Sequence, residues 1–149
     1  MIIKGIGHVG VVVENLEEAI NFYHGVLGLE VYEEPGEMVT DPEEGYAMGL
    51  DDCLHRIATL RAADGTKIEL VEFESPKPVK EPETTACLGK HHISFLVDDI
   101  NAWLEKLKEY DIQPFRAPLS YETDEAEGGI AYWAQMRDPY GVVIEMMQY

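Results

Sequence analysis

The chain has 149 residues, of which 46% are hydrophobic and 27% are charged, as in a globular protein of about one domain. Its 29 Asp and Glu against 11 Lys and Arg give a net charge of −18, which disfavours binding to nucleic acid and to anionic membranes. No apolar run is long enough for a membrane span or a signal peptide, and Cys53 and Cys87 are too few for a disulfide framework. We therefore expect a cytoplasmic protein.

The first predicted elements are a strand and a helix near the amino terminus. The stretch HVGVVV, from His8, is predicted to be a strand, and Asn15 can cap a helix after it, with Glu18 as its capping-box partner. Apolar residues then recur at helical spacing until Gly28, which suits the end of the helix. The apolar residues are Leu16, Ala19, Ile20, Tyr23, Val26 and Leu27.

Three more strands are predicted in the first half of the chain. Two lie near Glu30–Glu34 and Leu54–Arg61, and the third lies in the stretch GTKIELVEF. The loop Glu33–Asp52 is long and acidic, and such a loop is either a solvated connector or a lid over a site. Both interpretations stay open, and as a lid it would place Tyr46 and Met48 over a ligand.

The second half of the chain repeats the first. The stretch HISFLVDDINAWL, from His92, matches HVGVVVENLEEAI, and GVVIEMMQY matches GTKIELVEF. Asp99 is predicted to cap the second helix, and strands are predicted near Gln113–Leu119 and Ile130–Met136. The Pro-rich stretch Ser75–Leu88 suits an extended connector. We therefore predict one domain of two β-α-β-β-β modules, about 1–74 and 89–149, joined by a linker at about 75–88.

Four side chains are predicted to point away from the helices. In the first strand of each module, His8 or His92 lies on the face opposite to the uninterrupted apolar face, which should receive the helix. In the last strand, Glu69 or Glu145 has the same orientation. A buried, unpaired carboxylate is costly, so two at matching positions need a common reason. Because imidazole and carboxylate suit Zn, Ni, Co, Mn or Fe(II), one divalent metal ion would remove that cost.

Through the motifs HVGVVVEN, KIELVEF, HHISFLVDDI and RDPYGVVIEM, the chain resembles the vicinal oxygen chelate superfamily. That superfamily contains glyoxalase I, methylmalonyl-CoA epimerase, extradiol dioxygenases and proteins of fosfomycin and bleomycin resistance. The resemblance implies an α+β fold in which two βαβββ modules in tandem form a cupped mixed sheet, with the helices on its outer face. It also places the metal ligands on His8, Glu69, His92 and Glu145, and we expect a homodimer.

The activity that the resemblance implies is metal-dependent isomerisation or epimerisation of a small molecule by proton transfer beside a chelated carbonyl. Glu145 is implied as the base and Glu69 as the group that returns the proton. The position of a glutathione-binding lysine in some glyoxalase I enzymes is Gln135 here, which disfavours glutathione and CoA. An extradiol-type dioxygenase and a non-catalytic binding protein for a small molecule such as an antibiotic remain alternatives.

Three further residues are candidates for binding the substrate. Arg137, just before DPYG, and Lys67, on the same face as the glutamate of its strand, are either ligands for a substrate carboxylate or ordinary exposed charges. Tyr46 is the third, as part of the acidic loop. His24 and His55 are predicted to lie at the surface or at a strand edge.

Overall fold

The structure, a computed structural model, describes residues 2–40, 45, 47–50, 53–80, 86 and 88–149. It contains two compact units, Met1–Lys80 and Glu81–Tyr149, and each is described by itself. Each unit has a strand, a helix and further strands in the predicted order, which confirms an α+β fold with two βαβββ modules in tandem. None of the helices in the described part of the chain is long and apolar enough to cross a membrane.

In the described part of the first module, a helical segment over residues 16–26 accompanies a five-stranded sheet. Its elements are β1 (Val9–Val13), α1 (Leu16–Ile20), a π-helix over Asn21–Val26, β2 (Glu30–Glu33), β3 (Val39–Thr40), β4 (Leu54–Arg61) and β5 (Lys67–Ser75). The strand order is β1-β5-β4-β2, with β3 paired to β4. Strand β1 runs parallel to β5, and the remaining pairs are antiparallel. The segments that carry His8 and Glu69 are therefore neighbours.

The first helix begins at its predicted cap. The Asn15 side chain accepts a hydrogen bond from the Glu18 N–H at 2.9 Å, which satisfies one of the free donors at the helix start. The predicted stripe supplies four buried residues, Leu16, Ala19, Tyr23 and Val26. Phe22 is buried as well, outside the predicted stripe, because the helix changes to π geometry at Asn21 and the spacing of its faces changes there. Gly28, with φ of 81°, follows the helix.

Over its described residues, the second module has a helix and a four-stranded sheet. Its elements are β6 (His92–Leu96), α2 (Ile100–Lys108), β7 (Leu119–Glu122), β8 (Ile130–Arg137) and β9 (Val143–Gln148). The strand order is β6-β9-β8-β7, and β6 runs parallel to β9. Asp99 caps α2 as predicted, because its carboxylate accepts from the N–H groups of Asn101 and Ala102 at 2.9 and 3.0 Å.

In both modules the last strand binds the first residue of the helix. The Leu16 N–H donates to Oε2 of Glu72 at 2.8 Å, and the Ile100 N–H donates to Oε1 of Gln148 at 2.9 Å. Alternate residues of a strand face opposite sides, so residues of the other parity on β5 and β9 point away from the helix. We call the side of each sheet opposite to its helix the distal face.

The predicted strand Gln113–Leu119 is wrong in its position. Strand β7 begins only at Leu119, and the preceding segment contributes an isolated bridge at Pro114. Proline has no N–H, so Pro114 and Pro118 cannot donate to a ladder, and regular pairing starts after them. The apolar residues of this segment indicated a strand, but the backbone donors that a strand requires are missing.

The prediction for His55 is also wrong. His55 is only 2% exposed and lies within β4, which has β5 on one side and β2 and β3 on the other. Its Nδ1 lies 3.4 Å from the sulfur of Cys53, and its ring centroid lies 5.8 Å from that of Phe73, its cross-strand partner. A ring at this position is buried by its neighbours, whereas His24 is exposed and contacts a backbone carbonyl through Nδ1.

Candidate functional site

A histidine and a glutamate meet on the distal face of the first module. Strands β1 and β5 are paired with Gly10 beside Glu69, which leaves the segment before β1 next to the same carboxylate. Nε2 of His8 lies 3.7 Å from Oε1 of Glu69. The two side chains are 52% and 28% exposed, so a small molecule or an ion can reach both.

The second module has the equivalent pair. Strands β6 and β9 are paired with Ser94 beside Glu145, and Nε2 of His92 lies 4.0 Å from Oε2 of Glu145. His92 is 49% exposed, but the Glu145 side chain is only 8% exposed. The structure therefore brings each predicted histidine to the glutamate of its own module.

Side chains on both neighbouring strands stabilise the buried carboxylate of Glu145. The Ser94 hydroxyl, on β6, donates to Oε1 at 2.8 Å, and the Gln135 amide, on β8, donates to Oε2 at 2.9 Å. Hydrogen bonds of this kind offset much of the cost of taking a carboxylate out of water. The burial of Glu145 therefore has a local explanation within the module, whether or not a metal ion is bound.

Glu69 has no such support. The residue beside it on β1 is Gly10, which has no side chain, and the residue opposite it on β4 is Thr59. The Thr59 hydroxyl donates to Oε2 of Glu33 at 2.7 Å. Among the described residues, His8 is the one polar side chain that contacts the Glu69 carboxylate.

Each pair has the spacing of two ligands on one divalent ion. Ligand atoms that lie about 2.0–2.2 Å from a metal are about 3–4 Å from each other. The separations of 3.7 and 4.0 Å fall in that range, and the donor types suit the predicted metals. Over the residues that the structure describes, however, no group of three or more His, Cys, Asp or Glu side chains could hold a metal ion. A single site with four ligands therefore stays a prediction.

The residues predicted to bind the substrate have different surroundings. Arg137 donates from Nη1 to the carbonyl of Gly141 at 2.8 Å. The Lys67 ammonium nitrogen lies 4.0 Å from the centroid of the Tyr32 ring. Tyr46 lies outside the described residues. The assignment of all three to substrate binding stays a prediction.

Two concave surface regions of different size lie on the described part of the second module. The larger, of about 470 Å³, is lined by Arg137 but by neither His92 nor Glu145. The smaller, of about 50 Å³, is lined by both His92 and Gln135. Of these two regions, the smaller therefore adjoins the His–Glu pair, and its volume suits a group the size of about one water molecule.

The supporting side chains are the part of the site that sequence reasoning missed. Ser94 shares its parity with His92, and this alternation is the signal that could have placed it on the distal face. Gln135 is in contact with Glu145 because of the register of β8 against β9, which the apolar pattern does not define to a single residue. Its importance therefore becomes visible only in the structure.

Two tandem βαβββ modules, each with a His–Glu pair on its own distal face, are typical of vicinal oxygen chelate proteins, as the sequence motifs indicated. Residues 5–146 match the Glyoxalase/Bleomycin resistance protein/Dioxygenase superfamily, and the chain belongs to it. A glyoxalase family protein from Bacillus cereus has the same fold, with a TM-score of 0.84 at 23% identity over 99% of this chain and 95% of that one.

Two curated relatives narrow the class further. The chain is 28% identical over 147 residues to the 2-epi-5-epi-valiolone epimerase of Actinomyces sp, which covers 94% of this chain and 76% of the relative. It is 32% identical over 146 residues to the mitochondrial methylmalonyl-CoA epimerase of Bos taurus, covering 96% of this chain and 73% of the relative. The protein is thus an epimerase-like or isomerase-like member of the superfamily.

Proposed function

We propose that this protein is a divalent-metal-dependent epimerase or isomerase, which moves a proton at the carbon beside a carbonyl group of a small molecule. The observation that carries the proposal is the repeated His–Glu contact, at 3.7 and 4.0 Å, on the distal faces of the two modules. Both curated relatives are named epimerases although their names give different substrates, which supports the reaction type more than any one substrate.

The four residues His8, Glu69, His92 and Glu145 would hold the ion, which is one of Zn, Ni, Co, Mn or Fe. Two carboxylates balance the charge of a divalent cation, and two neutral imidazoles complete a donor set that these metals accept. When bound, the ion would supply positive charge that polarises a substrate carbonyl and acidifies the neighbouring C–H group. The two pairs come either from one chain or from two chains of a homodimer.

Glu145 is the proposed base. Ser94 and Gln135 hold its two oxygens, so the direction of the carboxylate is defined, as proton transfer to a positioned group requires. Glu69 is proposed to return a proton to the substrate from the opposite side, which inverts the carbon. Its carboxylate contacts only His8 among the polar side chains of the described residues, so it has the freedom to turn toward the substrate.

Solvent exchange tests this proposal. Methylmalonyl-CoA and 2-epi-5-epi-valiolone, the compounds in the names of the two relatives, are each incubated with metal-loaded protein in deuterium oxide. Deuterium at the carbon beside the carbonyl is then followed by NMR. We expect the parent protein to incorporate deuterium during turnover and the Glu145→Gln variant to do so far more slowly. Turnover without exchange or internal transfer of that proton, or normal turnover by the variant, would contradict the mechanism.

The partners and the location belong to the same proposal. The net charge of −18 disfavours nucleic acid and anionic lipid surfaces, which supports a small-molecule substrate. We propose the cytoplasm as the location. We also propose a homodimer, which light scattering on the purified protein would detect as a doubled mass.

A further inference from the structure

One aromatic ring on the distal face of the first module contacts two cations. The Arg61 guanidinium carbon lies 4.6 Å and the Lys67 nitrogen 4.0 Å from the centroid of the Tyr32 ring. Arg61 and Lys67 are directly opposite each other on β4 and β5, and a register shift between Val31 and Glu33 leaves Tyr32 outside the regular ladder. We call Tyr32, Arg61 and Lys67 the cation cluster.

The cation cluster has an excess of positive charge. Arg61 donates from Nε and Nη2 to the Glu30 carboxylate at 3.1 and 2.7 Å. In the described part of the chain, no carboxylate is paired with Lys67, and Nη1 of Arg61 has no acceptor. Two cations near one ring repel each other, and among the described residues the one paired carboxylate, Glu30, offsets only one of the two charges.

The second module shows which part of the cluster has a general structural role. Arg137 occupies the position of Arg61 in the repeat, and its guanidinium carbon lies 5.7 Å from the centroid of the Phe115 ring. Its cross-strand partner is Val143, whereas the partner of Arg61 is Lys67. Packing of an arginine on a ring thus occurs in both modules. Among the described residues, a second cation contacts the ring in the first module and not in the second, which the repeat does not explain.

The cation cluster lies beside the proposed reaction centre. Lys67 and Glu69 are two residues apart on β5 and therefore face the same side, with their backbones about 7 Å apart. All three side chains of the cluster are partly exposed and accessible to a small molecule. A ligand that reaches Glu69 can therefore place another group, several ångströms away, between Arg61 and Lys67.

We propose that the cation cluster binds an anionic group of the substrate, a carboxylate or a phosphate, and so selects substrates that carry this group near the reacting carbon. This inference deepens the proposed function and rests on it for the role of Glu69. The Lys67 ammonium supplies up to three donors, and Nη1 of Arg61 supplies two more, which suits a bidentate oxyanion. The Tyr32 ring holds both cations in place through their contacts with its face.

The test uses metal-free protein, so that it does not depend on turnover. Succinate, inorganic phosphate and the neutral analogue succinamide are titrated while the NMR signals of Tyr32 and of the neighbouring backbone are recorded. We expect saturable shifts with at least one of the two anions and none with succinamide. The anion that binds more tightly identifies the group as a carboxylate or a phosphate.

Variants locate the binding to the cluster. We expect Lys67→Met and Arg61→Met each to weaken binding of the anion by about tenfold or more. Lys67→Arg should restore most of the affinity, because it keeps the charge. Lys106→Met is the matched control: this lysine lies 4.6 Å from the Trp103 ring on α2, so the variant loses the same charge and a similar contact elsewhere.

Two results would overturn the inference. One is that neither anion produces saturable shifts at Tyr32 in the parent protein. The other is that Lys67→Met binds the anion as tightly as the parent and the Lys106→Met control. Failure of the proposed epimerase activity would leave both results unchanged, since no metal and no turnover are involved.

Discussion

Glu69 and Glu145 occupy equivalent positions in two similar modules, but their surroundings differ. Glu145 is 8% exposed and accepts hydrogen bonds from Ser94 and Gln135. Glu69 is 28% exposed and lies beside Gly10, where the second module has its serine. The comparison teaches that the repeated backbone determines where each carboxylate lies, whereas the neighbouring side chains determine how firmly it is held.

The two distal faces also differ in the charged residues that lie near the glutamate. In the first module, the charged residues Arg61 and Lys67 form the cross-strand pair two residues along from the pair that contains Glu69. The second module has Val143 in place of the lysine. We infer that the first module supplies the adjustable and charged contacts to a ligand, and the second supplies a carboxylate of defined direction.

The largest expected effect on activity comes from substituting the two glutamates, and it should differ between them. We expect Glu145→Gln to lower turnover by about a thousandfold, because a positioned base contributes in that range, while much of the metal is retained. We expect Glu69→Gln to keep exchange of the substrate proton with solvent deuterium but to lose inversion of the carbon. NMR of the substrate in deuterium oxide measures both. Identical losses of exchange in the two variants would remove the distinction between the modules.

A smaller effect should follow from removing the groups that hold Glu145. We expect Ser94→Ala and Gln135→Met each to lower metal affinity or turnover by about tenfold to a hundredfold, the usual range for groups that orient a ligand. Thr59→Val is the control, because Thr59 is the repeat equivalent of Gln135 but donates to Glu33. Equal losses in all three variants, measured by metal titration, would show that the hydrogen bonds to Glu145 have no special role.

A further substitution makes the two modules more alike. Gly10→Ser introduces at β1 the residue that β6 has beside its glutamate, and a side-chain carbon at Gly10 would meet no atom within 4 Å. We expect the free energy of unfolding to stay within about 1 kcal/mol of the parent, since a glycine in a strand is already unfavourable. Turnover should fall a few-fold as Glu69 becomes more firmly held. A large loss of stability in thermal unfolding would contradict the open environment of Gly10.

The smallest expected effect is on stability, through the ionic contacts at the start of α1. In the first module, the Arg56 guanidinium donates hydrogen bonds to the carboxylates of Glu17 and Glu72. The hydrogen bond from Arg56 holds the pKa of Glu17 below its usual value of 4.5. A carboxylate with a lowered pKa stabilises the folded state above its unfolded pKa, and this contribution is lost as the pH falls through the folded pKa.

The pH dependence of thermal unfolding measures this effect. Arg56→Met should lower the melting temperature by about 1–4 °C at pH 7, and the difference from the parent should shrink below pH 4. Gln148→Met, at the equivalent helix contact of the second module, should cause a change that does not depend on pH in this range. A constant difference between Arg56→Met and the parent down to pH 3 would contradict the ionic origin of the contact.

The sequence predicts most of the fold, because the same pattern of apolar faces occurs in both halves of the chain and indicates the same order of strands and helix in each. Strand β4 has the predicted ends, Leu54 and Arg61, and both helix caps are correct. The strand predicted at Gln113–Leu119 fails because hydrophobicity carries no information about missing backbone donors. His55 fails because its burial comes from residues that are distant in the sequence.

The candidate site is predicted only in part, for a physical reason. Alternation along a strand places a histidine and a glutamate on one face, which the structure shows for each module. The hydrogen bonds of Glu145 and the convergence of Arg61 and Lys67 on one ring depend on strand register and on a bulge. Neither feature follows from the periodicity of the chain.

Metal binding by His8, Glu69, His92 and Glu145 is the central claim, and metal titration of protein purified without an affinity tag tests it most directly. We predict one divalent ion per chain and a melting temperature that rises with metal concentration. His8→Ala, His92→Ala and Glu145→Ala should each weaken binding by about a hundredfold or more, whereas the exposed His24→Ala should bind like the parent. If the three ligand variants bind metal as tightly as the parent, the ion is held elsewhere and the account is wrong.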